Sequence, residues 1–478
     1  MFAATPPLEA KKMLFSMAMT DFSQGRATRS NGTQKLLFID VRRAYFYAPA
    51  RRSVYVNLPD EDSKPGYCAR LNVSMYGTRD AASNWEDKYA SHLIKCGFVQ
   101  GKSSPCVFFH AEKGISVVVH GDDFTFLGND VALDWCTTVM QEEYDVKIRG
   151  RLGPDKHDQK SITILNRCLE WRADGLYYEP DPRHAEIIIE EMGVQKCSPV
   201  VTPGTKMSLL PEEDDPLLKP EHATKFRRVI ARANFLAQDR MDMQYATKEA
   251  ARGMANPRQS HYEKLLRLAK YLLGRRRYVI KYAYQKNVYA LNCFGDSDFA
   301  GELETRKSTS GGLMCIGDHT IKTWSSTQSV VALSTGEAEM YAINKTAATG
   351  MGGQSILKDL GVSLELRVFT DATTGKSLVT RRGLGKVRHI AVNELWLQSH
   401  VQNKTVTMVK IKNKFNPSDM MTKYLTKMEM QQIMEHVEHR YEEGRSAAAP
   451  KLAKKTDTIN NVGTDNGNQE IEESMWQR

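Results

Sequence analysis

The sequence predicts a mixed α/β, multidomain protein, and three observations lead to this fold class. The chain has 478 residues, which is too long for a single hydrophobic core. Its content of 41% hydrophobic and 26% charged residues is typical of globular proteins, and strand-like runs alternate with helix-like runs in both halves. An acidic, proline-containing stretch at 209–222 lies between the halves and indicates a linker or an exposed loop.

In the first half, the short apolar runs at 36–40, 116–121 and 123–128 are predicted strands. Residues 81–95 follow a turn at Gly77 and have the pattern of a helix. Asp122 and Asp123 lie between two of the predicted strands, so we expect them at the tip of a β-hairpin. Two adjacent acids repel each other unless the turn is solvated or a cation is bound, and a plain polar turn is the alternative interpretation.

The second half has a longer succession of elements. Three strand-like runs at 290–299, 311–317 and 319–326 precede a long helix that begins near Thr335. A strand at 364–371, helices from about Thr373 and around 393–403, a strand at 405–411 and a helix after Pro417 follow. Three strands, then helices interleaved with two further strands, indicate a mixed sheet covered by helices.

The chain carries a formal charge of +9, and the positive charge is concentrated in one segment. Residues 251–286 contain ten Lys or Arg and one acid, Glu263, which predicts a polyanionic partner. The alternative is the solvated face of an amphipathic helix, but the run Arg275, Arg276 and Arg277 favours contact with phosphate groups. From Tyr441 onward the composition predicts a disordered tail.

No stretch of the sequence has the length and hydrophobicity of a membrane span, and the N-terminus lacks a signal-peptide pattern. We therefore expect no membrane partner and a cytoplasmic or nuclear location.

Several ordered motifs resemble one family. The segments FIDVRRAYFYAPARRSVYVNLP (38–59), SMYGTRDAASNW (74–85) and VVVHGDDFTFLG (117–128) resemble polymerase motifs of the Pol polyprotein of copia-type LTR retrotransposons. The segment 297–342, together with VRHIAVNELWLQ (387–398) and NPSDMMTKYL (416–425), is similar to the ribonuclease H region of the same family. The resemblance implies truncated reverse-transcriptase fingers and palm at 1–206, a linker and basic helical connection at 207–286, a ribonuclease H-like α/β domain at 287–428, and a helical extension with a disordered tail at 429–478.

The resemblance also implies two sites, each with two Mg²⁺ ions. At the first, Asp40, Asp122 and Asp123 are the implied polymerase metal ligands, and Tyr45 is the residue that screens the sugar of the incoming dNTP. The implied partners are an RNA template, a DNA primer and the RNA–DNA hybrid.

At the second site, resemblance to ribonuclease H selects Asp296, Glu339, Asp371 and Asp419 as metal ligands, which the mixed α/β order could bring to one end of the sheet. Glu337 and Asp298 are close alternatives. On a helix Glu337 points roughly 200° away from Glu339, so only one of the two glutamates can face the metals. His389 matches a histidine that is frequent in the family and could move a proton, and a purely structural histidine is an equal alternative.

The polymerase motifs depart from the family pattern. Asp80 replaces a glutamine and is expected to place a negative charge near the template or nucleotide, while His120 and Gly121 replace a tyrosine and a valine. The family's upstream basic strands and its protease and integrase segments are also missing from this sequence, which we interpret as a fragment or decayed copy. Two hypotheses follow: a reverse transcriptase and ribonuclease H pair, or a catalytically decayed nucleic-acid-binding remnant.

Overall fold

A computed structural model describes residues 3–22, 33–206, 208, 211, 213–385, 389, 390 and 392–452. These residues form several β-sheets and eleven α-helices, which confirms the mixed α/β, multidomain prediction and is consistent with a polymerase-related or ribonuclease H-like fold. The long helix of the first half begins and ends where the sequence predicts, at Ala81–Lys95. Within the described ranges, no helix is both long and apolar enough to cross a membrane.

The elements of the first half are α1 (Leu8–Ala18), β1 (Thr20–Asp21), β2 (Lys35–Val41), β3 (Tyr55–Val56), β4 (Ala69–Arg70), α2 (Ala81–Lys95), β5 (Val99–Gln100), β6 (Val107–His110), β7 (Ile115–His120), β8 (Asp123–Gly128), α3 (Asp130–Glu143), β9 (Val146–Leu152), β10 (Ser161–Ile164), β11 (Arg167–Arg172), β12 (Gly175–Glu179) and α4 (Pro182–Met192). Those of the second half are α5 (Pro220–Ala237), α6 (Met241–Ala251), α7 (Gln259–Gly274), β13 (Arg277–Tyr282), β14 (Gln285–Lys286), β15 (Ala290–Ser297), β16 (Thr309–Ile316), β17 (His319–Thr327), α8 (Thr335–Asp359), β18 (Glu365–Thr370), α9 (Thr373–Thr380), α10 (Trp396–Gln402), β19 (Thr407–Lys410), α11 (Lys427–His436) and β20 (His439–Glu442). Short 3₁₀ helices cover Ala44–Tyr47, Arg252–Met254, Val392–Leu395, Asn413–Phe415 and Pro417–Met421.

The first sheet is antiparallel and has the strand order β5-β6-β7-β8-β2-β9. Its alternating apolar residues serve two cores: Leu37 and Ile39 of β2 pack with residues of α2 and α3, while Leu36 and Phe38 belong to the core that contains α1. Helix α1 also contacts β17 and α8, so it joins the first sheet to the second half of the chain.

A second antiparallel sheet, with the order β10-β11-β12-β13-β20, combines strands from three of the four segments that the sequence divides into domains. The expected disorder from Tyr441 onward is wrong at its start, because Tyr441 and Glu442 lie in β20 and pair with β13. The Tyr441 hydroxyl also donates to a carboxylate oxygen of buried Asp242 at 3.2 Å. These contacts give the segment an ordered place that its polar composition does not reveal. Residues 453–478 of the predicted tail lie outside the described residues.

The third sheet is mixed, with the order β17-β16-β15-β18-β19. Its first three strands are antiparallel, and β18 and β19 extend it in parallel with β15. Helix α8 packs on β15, β16 and β18, and the 3₁₀ helix Pro417–Met421 packs on β15, β16 and β17. The α-helix predicted directly after Pro417 is therefore wrong in type: this turn is 3₁₀, and α11 begins only at Lys427.

A buried ion network joins α1 to the second sheet and to the end of α5. The carboxylate of Asp239 accepts hydrogen bonds from Lys12 Nζ, Arg167 Nε and the Tyr178 hydroxyl, all at 2.7 Å. Burial alone would raise the pKa of Asp239, but the charges of Lys12 and Arg167 lower it to about 2. The network therefore depends on the charge of this one carboxylate.

Replacing Asp239 by Asn is expected to lower the free energy of unfolding by about 3 to 5 kcal/mol, because two buried cations lose their counter-charge. Urea unfolding followed by circular dichroism measures this change. Asp134→Asn is the matched control, since its ion pair with Arg151 is exposed and contributes less than about 1 kcal/mol. Equal effects of the two substitutions would contradict the structural role of the network.

Candidate functional site

Three of the predicted nuclease acids meet at one end of the mixed sheet. Asp296 lies near the carboxyl end of β15, and Asp371 directly follows β18, the parallel neighbour of β15. Asp419 comes from the 3₁₀ helix Pro417–Met421, which packs against β15. One carboxylate oxygen from each residue lies within 4.8 Å of the corresponding oxygens of the other two. We call these residues and Glu339 the carboxylate cluster.

Glu339 faces this cluster from the first turns of α8. The helix begins at a Ser334 cap, and α9 packs so closely that a Cβ at Gly375 would lie 2.9 Å from Glu339 Cβ. Burial and the charges of Asp296 and Asp371 together raise the pKa of Glu339 to about 9. Its Oε2 atom, like Oδ1 of Asp419, is buried and has no hydrogen-bond partner among the described residues.

The two alternative acids have other partners. Glu337 accepts hydrogen bonds from the Leu333 backbone amide and the Tyr341 hydroxyl, and its Oε2 lies 2.7 Å from His389 Nε2. Asp298 accepts a hydrogen bond of 2.6 Å from the backbone amide of Thr309. Of the two glutamates, Glu339 is therefore the one that faces the aspartates, while Glu337 fixes His389 beside the N-terminal end of α8.

Sequence reasoning missed two residues that organise the cluster. Lys423 Nζ lies 2.9 Å from Asp419 Oδ2, and the Thr422 hydroxyl donates to Asp296 Oδ2. Both follow Asp419 by three or four residues, a spacing that places side chains on one face of a helical turn and could have indicated them.

The charge of the cluster is poorly balanced. Burial and the neighbouring Asp419 raise the pKa of Asp296 to about 7. Burial lowers the pKa of Lys423, but the charges of Asp419, Asp296 and Asp371 raise it by more. Four acids thus face one lysine. Buried carboxylate oxygens without partners are the ligands that hard divalent cations such as Mg²⁺ prefer, so the residues present fit such an ion.

The predicted polymerase acids are arranged differently. Asp40 on β2 lies directly opposite Asp123 on β8 and Lys147 on β9, and Asp122 occupies the turn, which confirms the predicted hairpin tip. Asp123 Oδ1 accepts a hydrogen bond of 3.0 Å from Arg149 Nη1. Among the described residues, the three acids do not form a group whose ligand atoms all lie within 4.8 Å of one another. The three hairpin acids are therefore not brought together as closely as Asp296, Asp371 and Asp419 are.

The other group of possible metal ligands within the described ranges consists of Asp130, His157 and Asp158. Here Lys35 Nζ already lies 2.8 Å from Asp130 Oδ2 and 3.0 Å from Asp158 Oδ2. A lysine thus supplies the positive charge at this place.

Aromatic residues surround the hairpin turn. The Tyr45 ring lies 4.3 Å from the Tyr76 ring, and burial together with the charge of Asp122 raises the pKa of both hydroxyls. The indole of Trp85 donates to the carbonyl oxygen of Gly121 at 2.9 Å. Gly121 has φ +62°, a left-handed conformation that glycine adopts without strain. Glycine in place of the valine of the family pattern therefore suits this turn.

The other departures also have structural explanations. The Asp80 carboxylate is buried and accepts a hydrogen bond of 2.9 Å from Arg52 Nε, so its charge is paired within the chain. The negative charge expected near the template or nucleotide stays a prediction. Burial and the nearby charge of Lys11 lower the pKa of His120 to about 4, which keeps its imidazole neutral at neutral pH.

The predicted phosphate-binding arginines do not act as one patch. Arg277 pairs with Glu179 and Glu442, and the Arg275 guanidinium lies over the Tyr441 ring, 4.9 Å from its centroid. Arg276 is exposed. Arg252, Arg277 and Lys281 of the segment 251–286 form ion pairs with acids elsewhere in the chain, which a count of charges along the segment cannot show. Phosphate contact stays a prediction for all three arginines, of which Arg275 and Arg277 also have intramolecular contacts.

Comparison with known proteins finds similar proteins among retrotransposon Pol polyproteins. No protein-family model matches the chain. The retrovirus-related Pol polyprotein from transposon RE2 of Arabidopsis thaliana is 25% identical over 404 residues, which cover 82% of this chain and 27% of the relative. The corresponding protein from transposon TNT 1-94 of Nicotiana tabacum is 24% identical over 400 residues, covering 80% of this chain and 29% of the relative. The transposon Ty1-ER2 Gag-Pol polyprotein of Saccharomyces cerevisiae is 23% identical over 405 residues, covering 81% and 23%.

Homologues of this chain are thus Pol polyproteins of copia-type retrotransposons, and the family resemblance is confirmed. The chain spans about a quarter of the length of these curated relatives.

Proposed function

We propose that this retroelement Pol fragment hydrolyses the RNA strand of an RNA–DNA hybrid at the carboxylate cluster, with Mg²⁺ as cofactor. The observation that carries the proposal is the convergence of Asp296, Asp371 and Asp419 from three separate elements, with ligand oxygens within 4.8 Å of one another. Buried Glu339 on a fourth element lies near enough to feel their charge, and Lys423 is the lysine beside them. Such a concentration of negative charge destabilises the folded chain by itself. A bound divalent cation would compensate for it.

Each residue of the cluster has a separate role in this proposal. Asp296, Asp371, Asp419 and Glu339 would hold the metal. When bound, two Mg²⁺ ions supply a hydroxide and stabilise the leaving oxygen. Thr422 fixes the carboxylate of Asp296, and Lys423 fixes that of Asp419. His389, held by Glu337 and partly exposed, would carry a proton to or from solvent during turnover.

The direct test uses a labelled RNA–DNA hybrid. We expect the full chain to cleave the RNA strand in Mg²⁺, to leave the DNA strand intact, and to lose activity in EDTA. Single-stranded RNA and duplex DNA are the substrate controls. If the protein binds the hybrid but never cleaves it, the alternative of a catalytically decayed nucleic-acid-binding remnant takes the place of this proposal.

RNA-directed DNA polymerisation, which the resemblance also implies, is proposed only in an impaired form. We expect the full chain to extend a DNA primer on an RNA template with dNTPs weakly or not at all, because Asp123 is paired with Arg149 and the three hairpin acids do not converge. Primer extension on a gel measures this, and hybrid cleavage by the same preparation serves as the activity control. Extension that proceeds to the end of the template within minutes would contradict this expectation.

A further inference from the structure

The hairpin acids differ from the carboxylate cluster in their balance of charge. Lys147 lies directly opposite Asp40. Burial and the charge of Asp123 raise the pKa of the Asp40 carboxyl, and the charges of Arg149, Lys147 and Arg42 oppose this rise. Burial and the charges of Asp123 and Asp40 raise the pKa of Asp122 to about 6, and Arg149 opposes this rise as well. Three acids therefore face at least three bases, whereas the four acids of the carboxylate cluster face Lys423. The hairpin acids therefore have more positive charge near them, for each acid, than the acids of the carboxylate cluster have.

Arg149 is firmly placed among these bases. Its Nη1 donates to Asp123 Oδ1 at 3.0 Å, and its Nη2 donates to the carbonyl oxygen of Thr163 at 2.8 Å. The two bonds use different nitrogens of one planar guanidinium, so they fix its orientation. An arginine stays protonated under all conditions in which proteins fold. The carboxylate of Asp123 on β8 thus has a permanent cationic partner that reaches it from β9, on the far side of β2, and is held in place by a carbonyl of β10.

A second cation approaches from α1. Lys11 is 3% exposed, and its Nζ has no hydrogen-bond partner among the described residues. The charge of Asp123 favours its protonated form, although burial lowers the pKa of Lys11 to about 8. Helix α1 packs on β7 and on β2 and β8, the two strands that carry Asp40 and Asp123. The hairpin thus has positive charge from two directions.

We propose that Arg149 is a built-in counter-ion that takes the place of a divalent cation at the hairpin carboxylates. In this protein the Asp40, Asp122 and Asp123 group is then an ionic core that holds β2, β8 and β9 together, and it binds no divalent metal while Arg149 is present. The inference is independent of hydrolysis at the carboxylate cluster, because it concerns different residues on a different sheet.

The test counts Mn²⁺ ions bound per chain, from the electron paramagnetic resonance signal of free Mn²⁺. The full chain carries Asp371→Asn and Asp419→Asn in every sample, so that the carboxylate cluster does not contribute. Adding Arg149→Gln is expected to create one further Mn²⁺ site, and adding Asp122→Asn to that variant is expected to remove it. Arg149→Lys keeps the charge and is expected to create none. Arg228→Gln is the control, since Arg228 pairs with Glu191 on α4, away from both groups of possible metal ligands.

Two results would overturn the proposal. One is a Mn²⁺ site that is present with Arg149 intact and disappears in Asp40→Asn or Asp122→Asn. The other is a folded Arg149→Gln variant that gains no site. Circular dichroism establishes folding, and if Arg149→Gln does not fold, the comparison of Asp122→Asn with its parent, both with Arg149 intact, still decides whether the hairpin binds metal.

Discussion

Replacing Asp371 by Asn is expected to reduce Mg²⁺-dependent cleavage of the RNA strand in an RNA–DNA hybrid by at least about two orders of magnitude. Asp371 is the member of the carboxylate cluster that enters from β18, and its oxygen lies within 4.8 Å of ligand oxygens from both Asp296 and Asp419. An amide is a weaker ligand for a hard cation than a carboxylate, and its loss of charge affects both ions of a two-metal site together. Initial cleavage rates at saturating Mg²⁺ measure the effect.

The same experiment shows whether the acids act as one unit. Combining Asp371→Asn with Asp419→Asn is expected to lower the rate little further, because residues that act together are non-additive. Asp298→Asn is the matched control: Asp298 follows Asp296 by two residues, but it accepts its hydrogen bond from Thr309 and is expected to keep most of the activity when replaced. Cleavage by Asp371→Asn at the parental rate would contradict the assignment of the site.

Local sequence pattern predicted the elements whose stability is local. Helix α2 and the hairpin of β7 and β8 follow from apolar periodicity and from turn residues, and both lie where the pattern places them. Strand β20 could not be predicted in this way. It is short and polar, and it is stabilised by pairing with β13, more than 150 residues earlier in the chain, and by the contact of Tyr441 with Asp242. Such long-range pairing leaves no periodic signal.

In the candidate sites, too, local sequence pattern predicted some features, while others depend on contacts between distant residues. The helical angle between Glu337 and Glu339 established that one glutamate alone could face the aspartates, but the choice depends on His389, which is distant in sequence and binds Glu337. At the hairpin, the sequence motif resembles a metal site. Two of the basic residues beside it, Lys147 and Arg149, come from β9, and their placement follows from strand pairing that the motif does not encode. A cluster of acids in the sequence therefore predicts a metal site more reliably when no basic residue on a paired strand lies opposite those acids.

The metal-free protein is expected to become less stable as the pH rises, relative to a Glu339→Gln variant. In the folded chain the pKa of Glu339 is raised to about 9 and that of Asp296 to about 7, whereas in the unfolded chain both titrate near about 4. Between these values the folded chain binds more protons than the unfolded chain, so the free energy of unfolding falls with increasing pH. The contribution is complete below the unfolded pKa values and is lost as the pH passes through the folded ones.

Urea unfolding in EDTA at a series of pH values from about 6 to about 9 measures this dependence. The comparison with Glu339→Gln is essential, because His120 and Lys11 also titrate with shifted pKa values but are common to both proteins. Across this range the parent is expected to lose up to about 4 kcal/mol more than the variant, since one proton corresponds to about 1.4 kcal/mol per pH unit. Saturating Mg²⁺ is expected to abolish the difference in slope, because the cation replaces the bound proton as the partner of the carboxylates. Parallel pH profiles of parent and variant in EDTA would show that Glu339 is not buried against the aspartates, and the carboxylate cluster would then lose its fourth member.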